Sequence, residues 1–278
     1  MIDAGGSFER ELTPLADDRW DVTAVRYATR DTSKADCYLG YEMYGEADEP
    51  LAMDYYFYLL SNGSRTVLVD TGFALEAGTR RGRTCIVPPL EALARLGIAT
   101  ESISQVLITH FHYDHIGNVA AFPKAELLVP GRELEFWTGP LADRPHFAAY
   151  VEATEIEHIV EAHRAGRVRC LGTRENVAPG ITTMHVGGHC PGQLIVVVDG
   201  SDGPILLTSD AVHYYEELDL DRPFAVLVDL EEMYAAYALL RELAAVPDTR
   251  LVAAHDPAVL DRFPHVTDDG GLLGVRVR

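Results

Sequence analysis

The amino-acid sequence predicts an α/β fold in which two β-sheets pack face to face and helices cover their outer faces. Three observations carry this reading. The order of elements runs β-rich, α, β, α and then β-rich, α, β again, so two strand-dense halves are each followed by helices. Each half holds a hairpin signal, Asn62-Gly63 in the first and Gly200-Ser201-Asp202-Gly203 in the second. The 278 residues, 47% hydrophobic and 24% charged, suffice for one large core without disulfide staples. No repeat, low-complexity tract or linker divides residues 1–278, which read as one domain with a helical cap inserted around residues 131–166.

The elements follow in order. Trp20 to Tyr27 and Tyr38 to Tyr44 are rich in aromatic and β-branched residues and read as strands. Tyr55 to Leu60 and Thr66 to Val69 flank Asn62-Gly63, both of which tolerate positive φ. A helix begins at Pro88 or Pro89, shows Leu90, Leu93 and Ala94 on one face and stops at Gly97. Gln105 to Thr109 is a short apolar strand, Val119 to Phe122 a helical turn, and Glu126 to Val129 a further strand. From Arg144 to Arg167 the pattern is helical, with Phe147, Val151, Ile156, Ile159 and Val160 apolar. Strands resume at Arg167 to Leu171, Ile181 to His185, Leu194 to Asp199 and Ile205 to Thr208. A helix from about Leu230 to Val246 carries Asp229 as its cap and Glu232 at the capping-box spacing. The last predicted strand, Arg250 to Ala254, leads into His255.

Charge narrows the function. Lys and Arg number 23 against 43 Asp and Glu, a formal net charge of −20. Such a field repels nucleic acid, anionic lipid and polyphosphate. The longest basic cluster is Arg80-Arg81-Gly82-Arg83. The expected partner is therefore a small molecule, neutral or only weakly charged, with no nucleic acid and no membrane; a homodimer is left open. Met1 to Pro14 lacks the apolar core of a secretory signal, and no stretch reaches the length of a membrane span. Cys37, Cys85, Cys170 and Cys190 form no CxxC pair and read as free thiols, so a cytoplasmic location is expected.

His110-Phe111-His112-Tyr113-Asp114-His115 places three of the chain's 11 histidines within six residues, with a carboxylate among them. Imidazole nitrogen and carboxylate oxygen suit Zn²⁺ and its first-row neighbours. His110 and His112, two apart in extended chain just past a strand, can face the same point. Asp114 and His115, beyond the turn, can face a second one. Three further candidates also lie just past strand ends: His189 in Gly187-Gly188-His189-Cys190-Pro191-Gly192, Asp210 in Thr-Ser-Asp-Ala, and His255 in Ala-Ala-His-Asp. Together they are enough for two ions. His185 reads as packed within its strand, and His146, His158, His163 and His265 as surface or cap residues.

These ordered motifs resemble those of the metallo-β-lactamase-fold hydrolases, from about Val22 to Asp256. The resemblance implies a four-layer αββα sandwich with two divalent metal ions, most simply Zn²⁺, in a cleft at one edge of the sheets. Carried over, it assigns His110, His112 and His189 to one ion, Asp114, His115 and His255 to the other, and Asp210 as the bridge. Within the superfamily the likeness is to the N-acyl-homoserine lactone lactonases, through both ligand sets, Val69-Asp70-Thr71-Gly72 and Asp210-Ala211. That family commonly has a Tyr three residues after the bridging Asp. Here the position is His213, followed by Tyr214 and Tyr215, which leaves open whether His213 or Tyr214 assists the substrate carbonyl.

The implied activity is a dinuclear metal-dependent hydrolase that opens a lactone or related cyclic ester. Two ions about 3.5–4 Å apart can make a shared water nucleophilic at neutral pH. Asp114 would ligate and also pass a proton to the leaving alkoxide. Asp70 would hold a ligand histidine by its second nitrogen. Phe136, Trp137, Phe147 and Tyr150 of the cap either line an apolar pocket or simply pack. The alternatives are hydrolysis of another ester, a thioester or an amide, or a redox chemistry on the same fold. An exported β-lactamase would need a signal, a glyoxalase-II-type thioesterase a longer C-terminal helical region, and a nuclease a basic groove. A non-catalytic metal module would need closed coordination.

Overall fold

The computed structural model describes residues 19–278. The expectation for Met1 to Pro14 falls outside them. In the first half, β1 (Asp21–Ser33) leads through the turn α1 (Lys34–Cys37) into β2 (Pro50–Ser61) and β3 (Thr66–Val69). Then follow α2 (Leu75–Arg80), β4 (Thr84–Cys85), α3 (Pro89–Arg95), β5 (Gln105–Leu107), α4 (Tyr113–Ile116) and β6 (Glu126–Pro130). Then α5 (Gly131–Trp137), α6 (Pro145–Ala148) and α7 (Ala153–Arg164) connect β6 to its parallel neighbour β7 (Val168–Leu171). In the second half come β8 (Arg174–Ala178), β9 (Ile181–His185), β10 (Leu194–Gly200) and β11 (Gly203–Leu207). They are followed by α8 (Tyr215–Leu220), α9 (Leu230–Ala244), β12 (Arg250–Val252), α10 (Val259–Arg262), β13 (His265–Asp268) and β14 (Gly271–Val277).

These strands form two sheets with helices on their outer faces, the predicted αββα sandwich. One has the order β13-β14-β1-β2-β3-β5-β6-β7, with β4 also paired to β1; the other runs β12-β11-β10-β9-β8. The alternation of β2 shows how the layers are made. Tyr56, Tyr58 and Leu60 join a buried cluster with Leu194, Val196 and Ile205 of the second sheet. Tyr55, Phe57 and Leu59 point the other way, into a cluster with Ala92 and Leu93 of α3 and Ile159 of α7. A strand covered on both faces needs apolar residues at consecutive positions, and β2 has them. On the far side, Met233, Ala236, Tyr237 and Leu240, spaced three and four apart, seat α9 on the second sheet.

Several local expectations change. Tyr38 to Tyr44 is not a strand: a single bridge joins Tyr38 to Phe224, and Tyr41–Tyr44 is a 3₁₀ turn between Gly40 and Gly45, both at positive φ. The tyrosines recur every third residue, the period of a 3₁₀ turn. Their rings form a ladder, with centroids 6.2 Å apart for Tyr38–Tyr41 and 5.9 Å for Tyr41–Tyr44. The helical stretch after Arg144 breaks at residues 149–152 into α6 and α7. Asp229 does cap α9, accepting from Glu232 N at 2.9 Å, but the Glu232 carboxylate reaches Gly188 N instead of closing the box. The C-terminal hairpin β13–β14 adds to the expected elements and returns to pair with β1.

Phe57 is 1% exposed and packs against the outer helices. Phe57→Ala is expected to cost about 3–5 kcal/mol, the usual price of a large aromatic lost from a close-packed core. Urea unfolding with and without added metal measures it; a change under about 1 kcal/mol would contradict the two-sided burial of β2.

Candidate metal centre

Strand direction brings the candidate residues to one edge. β3, β5 and β6 run parallel, as do β11 and β12, and β9 shares their direction because it lies two antiparallel steps from β11. The segments after β3, β5, β9, β11 and β12 therefore leave at the same edge. They carry Asp70, His110–His115, His189, Asp210 and His255 respectively.

At that edge the side chains converge in two groups about the Asp210 carboxylate. Oδ1 lies 3.1 Å from His115 Nε2 and 3.3 Å from His255 Nε2. Oδ2 lies 3.4 Å from His189 Nε2 and 3.8 Å from His110 Nε2. Asp114 Oδ2 stands 3.9 Å from both His115 Nε2 and His255 Nε2, and His112 Nδ1 is 2.9 Å from His189 Nε2. Ligand atoms around a tetrahedral ion, at about 2.0–2.1 Å from it, stand about 3.4 Å apart, close to these spacings. One carboxylate thus divides its oxygens between His110/His112/His189 and Asp114/His115/His255.

The outward nitrogens are held. His115 Nδ1 meets Asp70 Oδ2 at 2.7 Å, His189 Nδ1 meets Val226 O at 2.7 Å, and His255 Nδ1 meets Asp54 O at 2.8 Å. These bonds leave Nε2 free to face inward and raise ligand basicity. Inside, His110 Nε2, His115 Nε2, Asp210 Oδ1 and both ring nitrogens of His213 are buried without hydrogen-bond partners. Buried polar atoms are rarely left unpaired, and a convergent set of nitrogen and oxygen donors fits divalent metal ions.

Backbone strain and buried acids fix the loops. Asp70 and Ser209 adopt φ of 60° and 44°, unusual for residues other than glycine. Asp70 in return accepts from Thr109 N at 2.8 Å and Thr109 Oγ1 at 2.7 Å, and Ser209 Oγ donates to Thr109 Oγ1 at 2.7 Å. Gly188, at φ 82°, lies so close to α9 that a Cβ would sit 2.7 Å from Met233 Cα. Two acids had no sequence signal. Glu133, fully buried, accepts from Phe111 N, Gly192 N and Trp137 Nε1 at 2.7–2.9 Å, joining the first histidine loop to the His189 loop. Glu217, fully buried, accepts from His213 N, Tyr214 N and Tyr237 Oη at 2.6–2.8 Å and shapes the turn after Asp210.

Electrostatics follow this arrangement. Burial alone would raise the Asp210 pKa, but His115, His255, His213 and His110 outweigh it and hold the carboxyl well below its ordinary range. Burial likewise works against charge on His115, yet Asp210, Asp70 and Asp114 prevail and raise its pKa well above normal. His110 and His189 are pushed well below theirs, and His112 to about 4, chiefly by desolvation.

His213 and Tyr214 part company. His213 lines the cleft over the cluster, with Nε2 3.2 Å from Asp210 Oδ2 and its ring stacked on Phe224 at 3.7 Å; burial is outweighed by Asp210 and Glu217, which raise its pKa to about 9. Tyr214 turns into the core, where its hydroxyl donates to Ala52 O at 3.3 Å beside Cys37. A narrow pocket lined by Phe136, Trp137, Phe147 and Tyr150 adjoins the cleft. His146, read from sequence as a surface or cap residue, lines that pocket too.

Known proteins bear on this site. The family model of the metallo-beta-lactamase superfamily matches residues 54–255. An N-acyl homoserine lactonase of a Bacillus species is 25% identical over 223 residues, 75% of this chain and 83% of its own. A probable metallo-hydrolase of Mycobacterium tuberculosis is 27% identical over 237 residues, 72% of this chain and 73% of its own. Among solved structures, a quorum-quenching N-acyl homoserine lactone lactonase superposes with a TM-score of 0.72 at 20% identity, covering 87% of this chain and 94% of its own. A dizinc quorum-quenching lactonase in complex with a product superposes with a TM-score of 0.68 at 16% identity, covering 92% and 94%. At such identities the structural likeness speaks for the fold alone.

Elemental analysis of protein purified without chelator is expected to find about two transition-metal ions per chain; a content near zero with full activity would refute the site. His115, protonated below its raised pKa, must lose that proton to ligate. Metal binding near neutrality should therefore release protons, and apparent affinity should rise with pH. Titration calorimetry in buffers of differing ionisation enthalpy measures this; a proton-neutral signal would contradict it.

Proposed function

The chain belongs to the metallo-beta-lactamase superfamily, and from that membership we propose that it opens a lactone or related cyclic ester, with two Zn²⁺ ions as its resident metals. The observation that carries the proposal is the Asp210 carboxylate shared between two ligand sets at the floor of a cleft with an aromatic side pocket. The N-acyl homoserine lactonase among its sequence relatives is what points the proposal to a lactone rather than another acyl substrate.

His110, His112 and His189 would hold one ion, Asp114, His115 and His255 the other, and Asp210 both. Bound there, the metals supply Lewis acidity toward a carbonyl and a water acidic enough to act as nucleophile near neutral pH. The chain's own groups do the rest. Phe136, Trp137, Phe147 and Tyr150 take an apolar part of the substrate out of water and orient its carbonyl over the cluster. His213, at the cleft wall, donates a hydrogen bond to the oxygen that gains negative charge. Asp114, which also lines the cleft, takes the proton of the attacking water and returns it to the ring oxygen as the acyl C–O bond breaks. The products are one carboxylate and one alcohol on a single opened chain. The net charge of −20 disfavours phosphodiesters and other polyanions.

Product analysis on a panel of lactones, aryl esters, thioesters, β-lactams and bis(p-nitrophenyl) phosphate is expected to rank a lactone first. Faster turnover of the phosphodiester than of every lactone would reverse the proposal. On the best substrate, His213→Ala should lower kcat about 10- to 1000-fold, the scale of one lost oxyanion donor, with metal content unchanged. Tyr214→Phe should stay within a few-fold of wild type; the opposite pattern would assign the donor to Tyr214.

A further inference from the structure

We propose that the substrate is a monoanion whose carboxylate is bound by Arg30 and Arg83 at the mouth of the cleft, while its ester bond lies over the metal centre. This rests on the lactonase reading above and names the substrate class within it. Both arginines line the same cleft as His112, Asp114, Asp210 and His255.

The basic cluster at residues 80–83 divides its work. Arg80 and Arg81 both pair with Glu152 and tie α2 to the start of α7. Arg83 does not join them. It follows the turn at Gly82 and enters β4, which pairs antiparallel with β1 in the register Ala28 with Cys85 and Thr29 with Thr84. Just beyond these pairs the two segments carry Arg83 and Arg30, and both line the cleft. Like charges held in one cleft repel, so a site that keeps both favours an anion.

Among the described residues, neither guanidinium makes an ion pair, although the chain has 43 acids for 23 bases. Arg83 Nε donates to Tyr113 Oη at 2.9 Å and its Nη1 to Arg81 O at 2.6 Å; Arg30 Nη2 donates to Thr32 Oγ1 at 2.9 Å. These bonds fix both side chains and leave Arg83 Nη2 and Arg30 Nη1 with no acceptor among the described residues. Both arginines are half-buried, so their charge is less screened than on an open surface. Two anchored forks with spare donors suit a planar carboxylate. The overall charge still excludes a polyanion, so the pair selects for a single negative group.

The test compares a γ-butyrolactone bearing a carboxylate, on the ring or on a short arm, with its uncharged carboxamide, using metal-loaded enzyme. Wild type should prefer the carboxylate by roughly 10-fold or more in kcat/KM for at least one placement, and the preference should shrink with added salt. Arg30→Gln and the double variant Arg30→Gln/Arg83→Gln should bring the ratio toward one. Arg30→Gln is decisive if the double variant misfolds, because Arg83 also braces Tyr113. Turnover of the carboxamide at least as fast as the carboxylate in wild type, or an unchanged ratio in Arg30→Gln, would overturn the proposal. If neither lactone is opened, the lactonase reading fails by itself. Titration calorimetry with the same two compounds then decides: tighter carboxylate binding lost in Arg30→Gln supports the arginine site, and equal binding refutes it.

Discussion

A carboxylate buried among five imidazoles is the constraint around which this edge of the sandwich is arranged. Asp210 has His110, His115, His189, His213 and His255 within 3.8 Å. One buried negative charge cannot satisfy five rings through hydrogen bonds, and a buried charge is tolerable only when compensated. Divalent ions resolve the conflict, because each converts several unpaired nitrogens into ligands at once. The cluster is thus unfavourable as bare protein and favourable as a coordination site, so its stability is coupled to metal.

That coupling explains the spread of buried acids around the centre. Asp70, Glu133 and Glu217 each accept three hydrogen bonds, most of them from loops that carry ligands or the residues beside them. Their charges are matched by backbone N–H groups, two hydroxyls, an indole and an imidazole, which draws the loops taut before any metal arrives. The strained φ of Asp70 and Ser209 persists because the network through Thr109 over-determines both positions.

Much of this was legible in the sequence, and the reason differs from residue to residue. The histidine loop could be read because metal chemistry demands particular side chains at short spacing. β2 and β3 could be read because Asn62-Gly63 names its own turn. Asp70 was within reach, since a carboxylate at a strand end beside a histidine loop has few other uses. Glu133 was not: the two loops it joins lie 22 and 59 positions away, and an isolated glutamate in a helix looks like a solvated one. Tyr38 to Tyr44 misled because aromatic content favours strands in general, whereas the three-residue spacing that gave the turn away competes with that signal. The choice between His213 and Tyr214 turned on one step of backbone direction after Asp210. Glu217 sets that step from a distance, so composition carried no trace of it.

The C-terminal hairpin has a consequence for how the molecule comes to be folded. β14 pairs with β1 through Val22 and Val277, a contact that closes residues 22–277 into one loop. Ordering so long a loop is slow, because its entropy is lost before the pairing repays it. The segment after His255 holds none of the candidate ligands, yet it completes the sheet whose neighbouring strands β3 and β5 aim Asp70 and the histidine loop. During synthesis the ligands are all made before the platform that holds them is finished. A stretch with no chemistry of its own therefore sets the moment at which the centre acquires its shape.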